Sequence, residues 1–205
     1  MDDTSKATLE AYEHGVDQYV AAMIPNVTGS LKEWIDAGLA LLPAGAHILE
    51  LGTGHGRDAT YMEGRGFVVD RTDAARAFIE YLKQQGKDVR LLNALTDDFG
   101  GPYDMVYASA VLIHFTPEQT DKVLKKAHEA LKPEGLLSFS VKVGDGAGWS
   151  ESKISAPRFF TYWREEPLRR LLADAHFKVV FWEDGQRGRT GNQPWYHIIA
   201  RRLEP

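Results

Sequence analysis

The chain opens on a helical period. Between residues 5 and 23, Leu9, Tyr12, Val16, Tyr19, Val20 and Met23 fall on one stripe, and Pro25 and Asn26 stop the pattern. A second helix is expected from a Ser30 cap to Leu42, with Leu31, Trp34, Ile35, Leu39 and Leu42 facing inward, before Pro43 and Gly45 end it. The texture then changes to short apolar runs separated by helical stretches. "AHILELG" predicts a buried strand, followed by a glycine loop and a helix from about His55 to Glu63. "GFVVDRTD" predicts a second strand, Asp73 is placed to cap a helix from Ala74 to Gln85, and Gly86 closes it. "DVRLLNA" and "YDMVYASAVL" predict strands three and four. Thr116-Pro117-Glu118-Gln119 then reads as a helix start, with a threonine cap, proline in the first turn and a glutamine to complete a capping box. That helix is expected to run to about Lys132, and "GLLSFSVKVG" to form the fifth strand. A long loop, Gly144 to about Thr161, and a helix to about Ala175 follow, and "FKVVFWED" and "WYHIIARR" close the chain as two more strands.

Strands alternating with helices predict an α/β fold: a doubly wound, mainly parallel, seven-stranded sheet covered on both faces. No helix separates the last two strands. "GQRGRTGNQP" joins them, so a hairpin-like reversal and an antiparallel last strand are expected. Two helices precede the first strand, which divides the chain into an N-terminal helical lid, residues 1–43, and a sheet domain, residues 44–205.

Composition narrows the chemistry. A length of 205 residues suits one domain with a sizeable core. A net charge of −5 with interspersed signs gives no basic face for nucleic acid. The absence of cysteine excludes disulfides, thiolate zinc sites and a cysteine nucleophile, and with no H-x-x-x-H pair no metal site is expected. The first residues have neither a basic nor an apolar segment, and no apolar run approaches the roughly 20 residues that span a bilayer. The expectation is a cytoplasmic protein, monomeric or homodimeric, with no membrane or nucleic-acid partner.

The glycine loop "ELGTGHGRDA" carries the candidate chemistry. Loops of this kind sit beyond the carboxyl ends of parallel strands, where ligands bind. A P-loop needs Lys-Ser/Thr after its last glycine, and Gly56 is followed by Arg57-Asp58. A dinucleotide loop counted from Gly52 and Gly54 would need its third glycine where Arg57 stands. The pattern present is E-x-G-x-G-x-G. A carboxylate at Glu50 would repel phosphates but suits an ammonium or sulfonium, which favours S-adenosylmethionine over NAD.

With these residues the chain resembles the class I S-adenosylmethionine-dependent methyltransferases, of the small bacterial Rossmann-like type, over about residues 45 to 202. "ILELGTGHGRDA", "VVDRTDAA", "LLNALTDDF", "YDMVYASAVLIHF" and "HEALKPEGLLSFSVK" stand in the family's order. The resemblance implies a Rossmann-like methyltransferase fold, S-adenosyl-L-methionine as cofactor and S-adenosyl-L-homocysteine as product. It places Gly52, Thr53 and Gly54 against the methionine part and Glu50 at its ammonium. Asp73, 21 residues after Gly52, takes the ribose hydroxyls, with plain helix capping as the alternative. Ala74 follows it at the same site. Asn93, Ala94 and Leu95 edge the adenine, although many relatives carry an acid where Asn93 stands. Ser109 and Ala110 end the fourth strand near the reactive methyl. Arg57 and Tyr19 are candidates for the cofactor carboxylate, against a local charge pair with Asp58 and simple core packing of the Tyr12–Tyr19 stripe.

Methyl transfer needs a base only if the acceptor must lose a proton. His114, in "VLIHF" beyond the fourth strand, is the base candidate, with a structural histidine as the alternative. The loop after the fifth strand, with Trp149, Phe159, Phe160, Tyr162 and Trp163, would shape the acceptor pocket, and Lys142 is placed to face it. The expected function is methyl transfer to a small-molecule acceptor, at oxygen or nitrogen. A protein or peptide acceptor, a non-catalytic cofactor-binding subunit and an NAD-dependent reductase are the alternatives.

Overall fold

The computed structural model describes residues 2–187 and 193–204. Two helices, α1 (Asp3–Ala22) and α2 (Gly29–Leu39), lead into β1 (His47–Glu50), α3 (Arg57–Glu63), β2 (Val68–Asp73), α4 (Arg76–Lys83), β3 (Arg90–Leu91) and β4 (Tyr103–Ala108). A short 3₁₀ turn (Leu112–His114) precedes α5 (Pro117–Ala130), β5 (Leu131–Val143), β6 (Ala147–Ser150), β7 (Arg158–Trp163), α6 (Glu165–Asp174), β8 (Phe177–Arg187) and β9 (Pro194–Arg202). The sheet runs β3-β2-β1-β4-β5-β7-β6, and β9 pairs antiparallel with both β5 and β8. The connection expected to reverse the chain before the last strand lies, over 188–192, outside the described residues.

The fold class is as expected, but the sheet has nine strands rather than seven. The extra pair is the β6–β7 hairpin, which replaces most of the predicted loop. Gly, Pro and Ser around "SESKISAPRF" hide it in the sequence, and the strand forms because β5 offers it an edge. β9 occupies one edge of β5 as far as Lys142, and β4 stops on the other edge at Ala108 opposite Phe139. The vacant stretch beyond β4 is filled by β7, with Lys142 opposite Tyr162 and Val143 opposite Trp163. The hairpin therefore stands directly past the carboxyl end of β4.

The sheet alternates its side chains between two cores. Leu49, Val106, Leu137, Phe139 and Val141 pack with Val123, Leu124 and Ala127 of α5 and Leu168 and Leu172 of α6. Ile48, Met105, Tyr107 and Leu136 pack with Trp34, Ile35 and Leu39 of α2 and Met62 of α3. α2 is thus a covering layer of the sheet. The capping box at α5 forms as predicted: Gln119 N donates to Thr116 Oγ1 at 3.3 Å, and Thr116 N to Gln119 Oε1 at 2.9 Å.

Two predicted caps differ. Thr28, not Ser30, precedes α2. α4 starts at Arg76 rather than Ala74, because Asp73 stays in β2 and another residue caps the helix. Glu13 of α1 accepts from Arg76 N at 2.8 Å and Ala77 N at 2.9 Å, placing its charge at the helix N-terminus. α1 is fastened in the same way elsewhere, with Thr8 Oγ1 accepting from Phe159 N at 3.0 Å and Gln18 Oε1 from Ser155 N at 2.8 Å.

Candidate active site

Two cavities, of about 140 and 230 Å³, open at the carboxyl ends of the parallel strands. They share Tyr19, Gly52, Gly54, Ser109 and Ala110, so they form one bent space around the glycine loop. The loop is held by backbone bonds from Leu51 N to Tyr107 O and Thr53 N to Thr72 O, both at 2.8 Å. Gly52 sits at φ +66°, and a Cβ there would lie 2.6 Å from Val111 Cγ2. Only glycine meets both demands.

Asp73 closes one side of the loop. One carboxylate oxygen accepts from Gly54 N and the other from Ala75 N, each at 2.9 Å. Burial raises its pKa to about 6 against these bonds. Each oxygen keeps acceptor capacity toward the first cavity. Ala74, Asn93, Ala94 and Leu95 line the same cavity, with Phe78 and Leu92 giving it an apolar wall. Asn93 Oδ1 accepts from Leu95 N and Asn93 N donates to Asp97, both at 2.9 Å, so this residue builds the turn that forms the wall.

The second cavity holds Glu50, Thr53, His55, Arg57 and Asp58. Arg57 Nε donates to Asp58 at 2.7 Å and its Nη1 to Ile24 O at 3.3 Å; Tyr107 donates to the other Asp58 oxygen at 2.9 Å. Glu50 is buried, and its Oε2 has no hydrogen-bond partner among the described residues. Burial, with the Asp58 carboxylate adding to it, pushes the Glu50 pKa up to about 8. A buried carboxylate oxygen without a partner costs free energy unless a proton or a cation meets it. The donor set therefore fits the ammonium or sulfonium end of the expected cofactor.

Glu50 makes a prediction about the free protein. Its folded pKa lies above the ordinary 4.5, so the proton it holds stabilises the fold most at low pH. That contribution falls as pH rises above 4.5 and is gone once pH passes about 8, at up to about 1.4 kcal/mol per pH unit. Between pH 6 and 8, with the titration of Asp73 common to both proteins, urea denaturation should show wild type losing about 1–2 kcal/mol more stability than Glu50→Gln. Parallel curves for the two proteins would refute a protonated Glu50 in the free site.

His114 reaches the first cavity, as the sequence places it, but in an unexpected state. Its Nδ1 lies 2.7 Å from Phe159 O, a carbonyl that only accepts, so Nδ1 carries the proton. Its Nε2 faces the Tyr12 hydroxyl at 2.9 Å, and that hydroxyl accepts from Arg158 at 3.1 Å. Burial pulls the His114 pKa down to about 3. A general base near neutrality is not what this geometry makes. The imidazole is neutral, engaged at both nitrogens, and positions Tyr12.

The residues expected from sequence to bind the cofactor, and His114, all line one cavity or the other, with Ser109 and Tyr19 at their junction, whereas Lys142 and the predicted acceptor-loop aromatics line neither. Tyr19 packs edge-on to Tyr12 at 5.7 Å and Phe78 at 5.4 Å. The sequence reading missed Phe78, Lys153, Arg158 and the pair Trp195 and His197. The "RFFTYW" run, an arginine leading into an apolar, aromatic-rich segment that forms the mostly buried β7, was the available signal for Arg158. The predicted aromatics divide: Phe160 and Trp163 are core, while Trp149 is exposed and rests on Phe159.

A family model described as a methyltransferase domain matches residues 23–181. No curated protein sequence matches the chain. Solved structures similar in fold include an S-adenosylmethionine-dependent methyltransferase from Methanosarcina mazei, with 19% identity, TM-score 0.71, and coverage of 82% of this chain and 97% of that one. Another is the 1,6-didemethyltoxoflavin-N1-methyltransferase of Burkholderia thailandensis, solved with 1,6-didemethyltoxoflavin and S-adenosylhomocysteine, with 21% identity, TM-score 0.74, and coverage of 100% and 92%. A third is the magnesium protoporphyrin IX methyltransferase of Synechocystis, solved with S-adenosylmethionine, with 16% identity, TM-score 0.63, and coverage of 99% and 86%.

Proposed function

Because the chain belongs to the methyltransferase-domain family, we propose that it transfers the methyl group of S-adenosylmethionine to a small-molecule acceptor. The observation that carries this reading is the bent cavity around the glycine loop, with Asp73 at one end and the unpartnered Glu50 carboxylate at the other. Asp73 takes the ribose diol, and Asn93, Ala94, Leu95 and Phe78 form the slot for the base. Gly52, Thr53 and Gly54 offer backbone to the amino-acid end. Glu50 answers its ammonium, and Arg57 and Tyr19 its carboxylate. Ser109 stands at the bend, beside the reacting methyl. The cofactor supplies a methyl carbon already activated by a sulfonium.

What remains for the protein is alignment and the exclusion of water. α1 provides the second. Its Thr8, Tyr12 and Tyr19 roof the first cavity, and it is fastened to α4 and β7 by hydrogen bonds and by the Tyr19–Phe78 ring contact. The acceptor is small in this reading because α1 roofs the space around the bend where the methyl would stand. The bound heterocycle of the Burkholderia relative agrees with that scale.

Titration calorimetry with S-adenosylhomocysteine, and with NADH in parallel, tests the cofactor. Micromolar binding of the first and none of the second is expected. Binding of NADH alone would overturn the assignment and every role above.

A further inference from the structure

We propose that the acceptor is a planar anion whose carboxylate or enolate oxygen is held by Lys142 and Lys153 beyond the bend of the cavity. This rests on the methyltransferase reading and names its substrate class. Lys142 lies on β5, two residues past Ser140 and so on the same face, and Ser140 lines the second cavity. The Lys142 Nζ sits 3.5 Å from the Phe160 ring centroid, with the Tyr162 and Trp195 centroids at 5.8 and 5.9 Å. Lys153 also lines that cavity, its Nζ 5.8 Å from the Tyr19 ring and 3.5 Å from the Met23 sulfur. Buried Arg158 lies 5.3 Å from both the Tyr12 and Phe160 rings. Its guanidinium is engaged by the Tyr12 hydroxyl and the Ser152 carbonyl.

Charge is sorted along the space. The acids Glu50, Asp58 and Asp73 ring the glycine loop, where a cationic ligand is expected. Among the described residues no carboxylate pairs with Lys142 or Lys153; the charges acting on Lys142 are Arg158 and Lys153, and those on Lys153 are Arg158 and Arg57. Burial and these like charges bring the Lys142 pKa down to about 8. Partly buried cations without a carboxylate partner are costly in the free protein, since aromatic faces offset only part of the lost hydration, and an incoming anion relieves that cost.

The chemistry agrees. An acceptor oxygen that arrives ionised forms its bond to the methyl carbon as the carbon–sulfur bond breaks. The bonding pair stays on sulfur, both charges vanish together, and no proton moves. No base is then required, which is consistent with a neutral, fully engaged His114.

The test is calorimetry on protein saturated with S-adenosylhomocysteine, titrated with 2-naphthoate or with 2-naphthamide, its neutral counterpart of similar shape. Naphthoate should bind at least tenfold more tightly. Lys142→Met should abolish that preference and Lys142→Arg should keep it, both with unchanged affinity for S-adenosylhomocysteine. Equal binding of the two probes, no binding of naphthoate, or a preference that survives Lys142→Met would overturn the proposal. If Lys153 serves the cofactor carboxylate instead, Lys153→Met weakens S-adenosylhomocysteine and leaves the naphthoate preference intact, which overturns the share given to Lys153. Running both probes without S-adenosylhomocysteine separates the questions: failure of that ligand to bind rejects the cofactor reading, and failure of the naphthoate preference rejects this one.

Discussion

Asp73→Ala is expected to weaken S-adenosylhomocysteine binding at least tenfold, about 1.4 kcal/mol. Two effects act together. The substitution removes the carboxylate whose remaining lone pairs face the first cavity. It also frees Gly54 N and Ala75 N, which the same oxygens hold at 2.9 Å, so the glycine loop loses its tie to the end of β2. Asp73→Asn separates these effects, because the amide retains one oxygen to accept from the backbone while losing charge and half of the acceptor set. Calorimetry on both variants, beside thermal unfolding without ligand, gives the comparison. Affinity unchanged in Asp73→Ala would end the ribose assignment. Affinity lost in Asp73→Ala but retained in Asp73→Asn would assign the effect to the loop tie.

The largest effect on stability is expected at Trp34. Its indole is fully buried, stacked between Tyr107 at 5.0 Å and His197 at 4.8 Å, with its N–H directed at Ile198 O at 3.4 Å. Trp34→Ala should cost about 3–5 kcal/mol, the range for emptying an aromatic site in a close-packed core. In a chain of this length that lowers Tm by on the order of 10 °C. Urea denaturation measures it directly. A loss below about 1 kcal/mol would mean that α2 does not belong to the core of the sheet and moves as part of a lid. His197 faces the second cavity and pairs with Glu183 at 2.7 Å, so the same variant should disturb that wall.

Some of this was written locally in the chain. Alternation of apolar runs with helical stretches is a property of neighbouring residues, so the parallel sheet, the antiparallel end and the α5 capping box could be read directly. The glycine loop was readable for the same reason. Its φ angles are set within one loop and the spacing from Gly52 to Asp73 within that loop, α3 and β2, and the charge of Glu50 was the local basis for expecting a cationic ligand. Three features waited for tertiary structure. The β6–β7 hairpin exists because β4 ends early and leaves an edge of β5 open, a condition set by a strand some forty residues away in sequence. The protonation of His114 depends on Tyr12, Arg158 and Phe159, which arrive from a helix and a strand on either side of it in the chain. The cation pair of Lys142 and Lys153 is invisible in a sequence with mixed charges. Its meaning comes from the lack, among the described residues, of a carboxylate paired with either lysine, and only folding decides that. Periodicity and turn chemistry act over a few residues and can be read in order; desolvation and charge act through space, and depend on neighbours that the order of the chain does not reveal.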